Sequence, residues 1–150
     1  MIRVSPTERG RGLPRAAAAW AAGVLAGLVA LPVAASGRLP DRLATHWGGS
    51  GTPDSAMPLG AVVAFPALVW SVVLVVVALS VRWTGGRVPA TATLLSVGVG
   101  LLGAQASIVR ANLDRSDWHD AGGVGLGVVL TLAAAVAAAA LGGHLVRGRR

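Results

Sequence analysis

Residues 60–81 read GAVVAFPALVWSVVLVVVALSV and contain no charged side chain. A helix rises about 1.5 Å per residue, so roughly 20 apolar residues cross the hydrocarbon core of a bilayer. Comparable stretches without Asp, Glu or Arg occupy 16–35, 90–109 and 122–146. Since no alternating barrel pattern is present, the four stretches predict transmembrane helices. We therefore expect an all-α integral membrane protein: a four-transmembrane-helix bundle with a structured extracytoplasmic loop between helices 1 and 2.

The composition supports a single membrane domain. The chain is 54% hydrophobic and 13% charged, with a mean hydropathy of +0.68. Such values are far from those of a soluble domain. We divide residues 1–150 into a cytoplasmic tail (1–15), a helix-loop-helix unit (16–81), and a second helix pair with a basic C-terminal tail (82–150). The chain has no Cys, which excludes disulfides and thiolate metal sites.

The arginines predict the orientation of the helices. Nine of the 13 basic residues lie in the N-terminal tail, in the 82–87 connection and in the C-terminal tail. The 36–58 and 110–121 loops hold the other four, together with five aspartates. By the positive-inside rule, both termini lie in the cytoplasm and these two loops face outward from the plasma membrane. A cleaved signal peptide ending at Ala35 is the alternative, but the first apolar stretch is longer than a usual signal core.

The net charge of +7 does not indicate a nucleic-acid partner. The arginines flank apolar stretches and are not interleaved with aromatic residues in a patch. We therefore expect the lipid bilayer as the partner of these charges, and no nucleic acid.

The first outward loop reads LPDRLATHWGGSGTPD over residues 39–54, and it combines turn-forming residues with a His-Trp pair. This pattern, between two membrane helices, resembles the domain of unknown function at the start of SdpI-type bacterial membrane proteins. The resemblance extends over residues 16–81. The matching residues are Leu39, Pro40, Arg42, His46, Trp47, Gly51, Pro53 and Asp54.

SdpI-type proteins give immunity to a secreted toxin and relay its presence to a repressor. The resemblance therefore implies a protein that senses or binds an extracytoplasmic peptide or protein. Arg42, His46, Trp47 and Asp54 are the candidate binding residues. Leu39, Pro40, Gly51 and Pro53 are the candidate structural residues of the loop. The alternative is an accessory subunit of a transporter or other membrane assembly.

Two chemical functions are alternatives to this one, a zinc site and a nucleophilic enzyme. A zinc site could form if the two outward loops meet. One loop would supply His46 with Asp41 or Asp54, and the other would supply His119 with its neighbouring carboxylates. The simpler interpretation is that His46 and Trp47 cap the bundle and that His46 is hydrogen-bonded locally. The segment around Ser50 lacks the second glycine of a nucleophile elbow, since Thr52 stands there. We expect no catalytic residue, no metal and no cofactor.

Small and polar residues within the spans predict how the helices pack. One stripe of small residues on the third span consists of Ser96, Gly100, Gly103 and Ser107. Such a stripe would allow close approach of a neighbouring helix, or of a second copy in a homo-oligomer. Gln105 is the most polar residue in any span and could bond a neighbouring helix. Pro32 and Pro66 are expected to kink the first two spans.

Overall fold

The computed structural model describes residues 15–147. Nearly all of the predicted cytoplasmic tail (1–15) and the last three residues lie outside this range. The described part contains four long helices: α1 (Arg15–Ala34), α2 (Leu59–Thr84), α3 (Arg87–Asn112) and α4 (Gly125–Arg147). All four are long and apolar enough to cross a membrane. The prediction of four helices of membrane-spanning length is therefore confirmed.

The segment between α1 and α2 is a β-hairpin, so the protein is not all-α as predicted. A single 3-10 turn (Ser36–Arg38) is followed by β1 (Arg42–Trp47) and β2 (Pro53–Pro58). The two strands are antiparallel, with Arg42 opposite Pro58 and Trp47 opposite Pro53. Irregularities in the register around His46 break the alternation of side chains between the two faces. Consecutive residues Leu43 and Ala44 are both buried, which is why no strand pattern is visible in the sequence.

The hairpin turn depends on one glycine. The N–H of Gly48 donates to the carbonyl of Thr52, and the N–H of Gly51 donates to the carbonyl of Gly48, both at 2.9 Å. Gly51 has a φ of +78°, a conformation that side-chain-bearing residues rarely adopt. The predicted structural role of Gly51 thus corresponds to a left-handed turn position.

α3 is the centre of the helical assembly. It packs against α1 and α2, and α4 packs along it without comparable contact with α1 or α2. The main core lies among α1, α2 and α3, and its buried members are Val24, Leu28, Trp70, Val77 and Leu94. The four helices therefore do not share one bundle core. Three helices surround a core, and α4 is attached to the outside of α3.

Glycines allow α3 and α4 to approach closely. A β-carbon on Gly127 would lie 2.5 Å from the hydroxyl of Ser107, and one on Gly103 would collide with Thr131. Gly142 lies directly against the backbone of Ala92. Two members of the predicted stripe thus lie at this contact. Of the others, Ser96 donates to the carbonyl of Thr93 at 3.3 Å, and Gly100 has open space around it.

Two tryptophans join α1 to its neighbours. Trp70 of α2 is fully buried and donates from its indole nitrogen to the carbonyl of Ala21 at 3.0 Å. Trp20 of α1 donates to the carbonyl of Leu94 at 2.9 Å. Its ring lies against Gly98, where a β-carbon would come within 3.0 Å of it. Trp20 therefore packs between α1 and α3.

Candidate binding hairpin

The hairpin lies at the end of the molecule where α1 and α3 finish and where α2 and α4 begin. Both of its strands contact the 3-10 turn Trp118–Asp120, which lies in the α3–α4 connection. The two segments predicted to face outward therefore meet at one end of the molecule. This brings the polar residues of both segments onto the same surface.

Asn112, the last residue of α3, attaches β1 to the helices. Its side chain is fully buried. The amide oxygen accepts from the backbone N–H of Ala44 at 2.7 Å, and the amide nitrogen donates to the carbonyl of the same residue at 3.0 Å. The nitrogen also donates to the carbonyl of Ile108 at 2.9 Å. One side chain therefore satisfies both backbone polar groups of a buried strand residue.

Arg38 and Asp114 form a second attachment, on the surface. The guanidinium donates from Nε to one carboxylate oxygen at 2.9 Å and from Nη2 to the other at 2.5 Å. The backbone N–H of Asp114 also donates to the carbonyl of Arg38 at 2.9 Å. The hydrogen bond from the guanidinium lowers the pKa of Asp114, and it raises the pKa of Arg38. Because both side chains are exposed, the pair orients the segments more than it stabilises them.

The backbone at Asp114 is unusual. Its φ of 58° lies in the left-handed region, and Asp114 is the only described non-glycine residue with a positive φ. Asp and Asn adopt this conformation more readily than other side chains. The residue at position 114 must therefore both tolerate the turn after α3 and present a carboxylate to Arg38.

His46 and Asp54 form an exposed pair across the hairpin. Nδ1 of His46 lies 2.5 Å from Oδ1 of Asp54, and the two side chains are 70% and 47% exposed. Gly48 leaves room for this carboxylate, since a β-carbon there would lie 3.2 Å from the second oxygen of Asp54. Arg42 donates to the carbonyl of Ala56 at 2.6 Å. Two of the candidate binding residues thus pair with each other, and a third holds the hairpin's own backbone.

Trp47 ends β1 and is half-buried. Its indole N–H is shielded from solvent and has no hydrogen-bond acceptor within residues 15–147. A buried donor without an acceptor costs about 1–3 kcal/mol, so such groups are uncommon. Trp47 therefore carries a buried donor that no described residue satisfies.

The α3–α4 connection adds a second His–Asp pair. Asp117 accepts from the backbone N–H of His119 at 2.8 Å and from its ring nitrogen at 2.5 Å. These hydrogen bonds, the backbone one first, lower the pKa of Asp117. The ring of His119 stacks on Trp118 with 3.6 Å between centroids. Each histidine is thus hydrogen-bonded to an aspartate of its own segment.

The zinc alternative has no matching geometry in the described part of the chain. Although the two segments meet, no group of three or more His, Cys, Asp or Glu side chains there could hold a metal ion. Local hydrogen bonding of His46, the simpler interpretation, agrees with its contact to Asp54.

The candidate residues from the sequence all lie in or next to the hairpin. Leu39 and Pro40 are half-buried at its entry, and Pro53 begins β2. The binding roles of Arg42, His46, Trp47 and Asp54 stay predictions. Sequence reasoning missed Asn112, Asp114, Arg38 and Gly48 as the residues that position the hairpin. One signal was available, since Asn112 is the single Asn in the chain and lies three residues after the apolar stretch 90–109.

Residues 18–69 match the family model of a domain of unknown function, DUF1648. The match begins in α1, includes the whole hairpin and ends within α2. Comparisons with curated proteins and with solved structures gave no match. The segment that resembles this domain is therefore the hairpin with its two flanking helices, whereas Asn112 and Asp114 belong to the remainder of the chain.

Proposed function

We propose that the protein is a multi-pass bacterial membrane protein of the SdpI-related type that binds an extracytoplasmic peptide or protein through its hairpin. The observation that carries this proposal is the contrast between the two sides of the hairpin. One side is fixed to α3 by the buried amide of Asn112, while His46 and Asp54 extend into solvent on the other. A rigidly held polar surface binds with less loss of conformational entropy than a mobile loop.

The indole of Trp47 adds a specific recognition group. Its N–H is buried and has no acceptor among the described residues, so a partner's oxygen atom would satisfy it if binding turned or uncovered the ring. Its ring also offers apolar area beside the hydrogen-bonded pair formed by His46 and Asp54. Extended peptide segments carry both carbonyl oxygens and apolar side chains, which suits this combination.

The arginine distribution supports an outward-facing hairpin and cytoplasmic termini. Arg38, Arg42 and Arg110, at the hairpin end, each donate to an acceptor within the protein. Most of the remaining arginines lie at the opposite end or in the terminal tails, where only one acidic residue, Glu8, accompanies them. This asymmetry is the positive-inside pattern expected of a plasma-membrane protein.

Cysteine labelling tests the orientation, since the chain has no native Cys. Ser50→Cys lies in the exposed hairpin turn, and Thr84→Cys lies at the opposite end of α2. A membrane-impermeant maleimide added to intact cells should label the first variant and reach the second only after permeabilisation. The reverse result would put the hairpin in the cytoplasm and contradict an extracytoplasmic ligand.

Site-specific photocrosslinking tests the binding function. A photoreactive phenylalanine analogue at position 50 should give a discrete adduct in intact cells, and the same analogue at position 84 should not. His46→Ala combined with Trp47→Phe should abolish the adduct at unchanged membrane abundance. An adduct that persists in this variant would show that the hairpin is not the recognition surface.

The alternative, an accessory subunit of a transporter or other membrane assembly, is favoured by α4. Among the described helices it packs chiefly on α3, and it exposes large apolar side chains around much of its surface, among them Leu126, Val129, Leu132 and Val136. The subunit hypothesis predicts stoichiometric co-purification with another membrane protein and a crosslink to that protein from position 132. The hairpin substitutions should change neither the co-purification nor the crosslink.

A further inference from the structure

Gln105 is a buried polar residue in α3, and its side chain is hydrogen-bonded to two other helices. The residue is 2% exposed. Its amide nitrogen donates to the carbonyl of Leu28 in α1 and to the carbonyl of Val62 in α2, both at 3.1 Å. An amide nitrogen carries two hydrogens, so both donors of this side chain are used. The expectation that Gln105 bonds a neighbouring helix is confirmed, and it bonds two of them.

The two acceptor carbonyls share one property. In an α-helix, each carbonyl accepts from the N–H four residues later. Four residues after Leu28 stands Pro32, and four residues after Val62 stands Pro66. Proline has no backbone N–H, so these carbonyls are the ones that the two prolines leave without a helical partner. Because lipid offers no replacement donor, such oxygens must be satisfied within the protein.

We propose that Gln105 stabilises the packing of the three helices because Pro32 and Pro66 each leave a helix carbonyl without a donor. One side chain satisfies both freed carbonyls and thereby fixes α1 and α2, the helices on either side of the hairpin, against α3. Gln105 precedes Asn112 by seven residues, which is about two helical turns, so both amides lie on one side of α3. α3 thus holds the helices with one amide and β1 with the other. The position of the hairpin relative to α3 depends on both.

This proposal differs from a general requirement for a polar residue at position 105, and a mutant cycle separates the two. In Gln105→Leu, both freed carbonyls lose their donor. In the Pro32→Ala, Pro66→Ala background, the alanine N–H groups replace that donor, so Gln105→Leu should be tolerated. Each single proline substitution should restore part of the loss.

Two readouts are measured in the full-length protein reconstituted in phospholipid nanodiscs. The first is the thermal unfolding midpoint. The second is the distance distribution between spin labels at Ser50→Cys and Gly143→Cys, the latter being a position on α4 with open space around it. In the native-proline background, Gln105→Leu should lower the midpoint and broaden the distribution. In the double-alanine background, the same substitution should leave both nearly unchanged.

The outcomes distinguish the hypotheses even where a variant fails to fold. If Gln105→Leu does not accumulate in the membrane, the double-alanine background must restore its abundance. Equal losses in both backgrounds would overturn the proposal, because Gln105 would then act independently of the prolines. If Gln105→Leu lowers the unfolding midpoint but leaves the distance distribution unchanged, the proposal is also overturned, since Gln105 would then not position the hairpin. Neither readout depends on the proposed binding function.

Discussion

The side-chain amide of Asn112 binds both backbone polar groups of Ala44, accepting at 2.7 Å and donating at 3.0 Å. This is the bonding that a third strand would supply to the edge of β1 that faces away from β2. A two-stranded hairpin is marginally stable alone, and it needs packing against other elements. Asn112 therefore joins the hairpin to α3 through polar contacts, while buried Leu43 contributes the apolar ones.

Replacing Asn112 with Leu should destabilise the protein by about 3 kcal/mol, because two buried backbone groups of Ala44 would lose their partners. Hydrogen exchange of a peptide covering 42–47 should become faster than in the parent. Asn112→Asp is the informative comparison, since it keeps the acceptor for the N–H of Ala44 but removes the donor and buries a charge. If Asn112→Leu is as stable and as protected as the parent, the amide does not hold the hairpin.

Trp47→Phe should change stability by less than about 1 kcal/mol. The substitution removes an N–H that has no acceptor among the described residues, which offsets the loss of apolar area. Thermal unfolding in detergent would measure it, with Trp70→Phe as the matched control. That control removes an indole N–H bonded to the carbonyl of Ala21 inside the core, and should cost more. A large loss for Trp47→Phe would mean that its N–H is already satisfied in the free protein.

The Arg38–Asp114 pair should attach the hairpin at neutral pH and release it in acid. The pKa of Asp114 is lowered in the folded protein, so its contribution is complete above the usual carboxyl value of about 3.9. The contribution disappears as the pH falls through the lower folded pKa. The distance distribution between spin labels at Ser50→Cys and Gly143→Cys should therefore be constant at pH values above about 5 and broaden below about 3.9.

Asp114→Asn is the control for this acid transition, because asparagine tolerates the left-handed backbone at position 114 but cannot form the ion pair. The variant should show the broad distribution already at neutral pH, with less further change in acid. Asp117, whose pKa is also lowered, accounts for any remainder. If the acid transition of Asp114→Asn is as large as that of the parent, the ion pair does not attach the hairpin.

The sequence predicted the four helices well because membrane-spanning length is a property of each segment by itself. Their ends agree with the predicted stretches to within a few residues. The hairpin was missed because what determines it is not local. β2 contains two Pro and one Asp among its six residues, and both residue types are poor strand formers. β1 is attached to α3 through Asn112, which lies 68 positions from Ala44 in the sequence.

The arrangement of the helices was only partly predictable for a related reason. The polar Gln105 and the two prolines were each visible as single residues. That Gln105 donates to the two carbonyls freed by the prolines appears only in the packing of the three helices. Small residues were equally ambiguous in a chain with 21 glycines. Gly103 lies in the contact between α3 and α4, while Gly100, on the same predicted stripe, has open space around it. Only the structure separates these two.

Two adjacent glycines of α4 should therefore respond in opposite directions to the same substitution. A β-carbon on Gly142 would lie 2.8 Å from Cα and 3.0 Å from the nitrogen of Ala92, and backbone atoms of a packed helix cannot move aside cheaply. Gly142→Ala should cost about 1–3 kcal/mol and separate α4 from α3. Gly143→Ala meets nothing within 4 Å and should stabilise α4 by about 0.5–1 kcal/mol through its higher helix propensity.

Thermal unfolding of the two variants in detergent gives the comparison. Equal effects of the two alanine substitutions would mean that α4 is not seated on α3 as described. The result also bears on the accessory-subunit hypothesis, because α4 has no other helical neighbour of comparable contact in the described chain. If Gly142→Ala releases α4 and also abolishes co-purification with a membrane partner, that partner binds the surface that α3 and α4 form together.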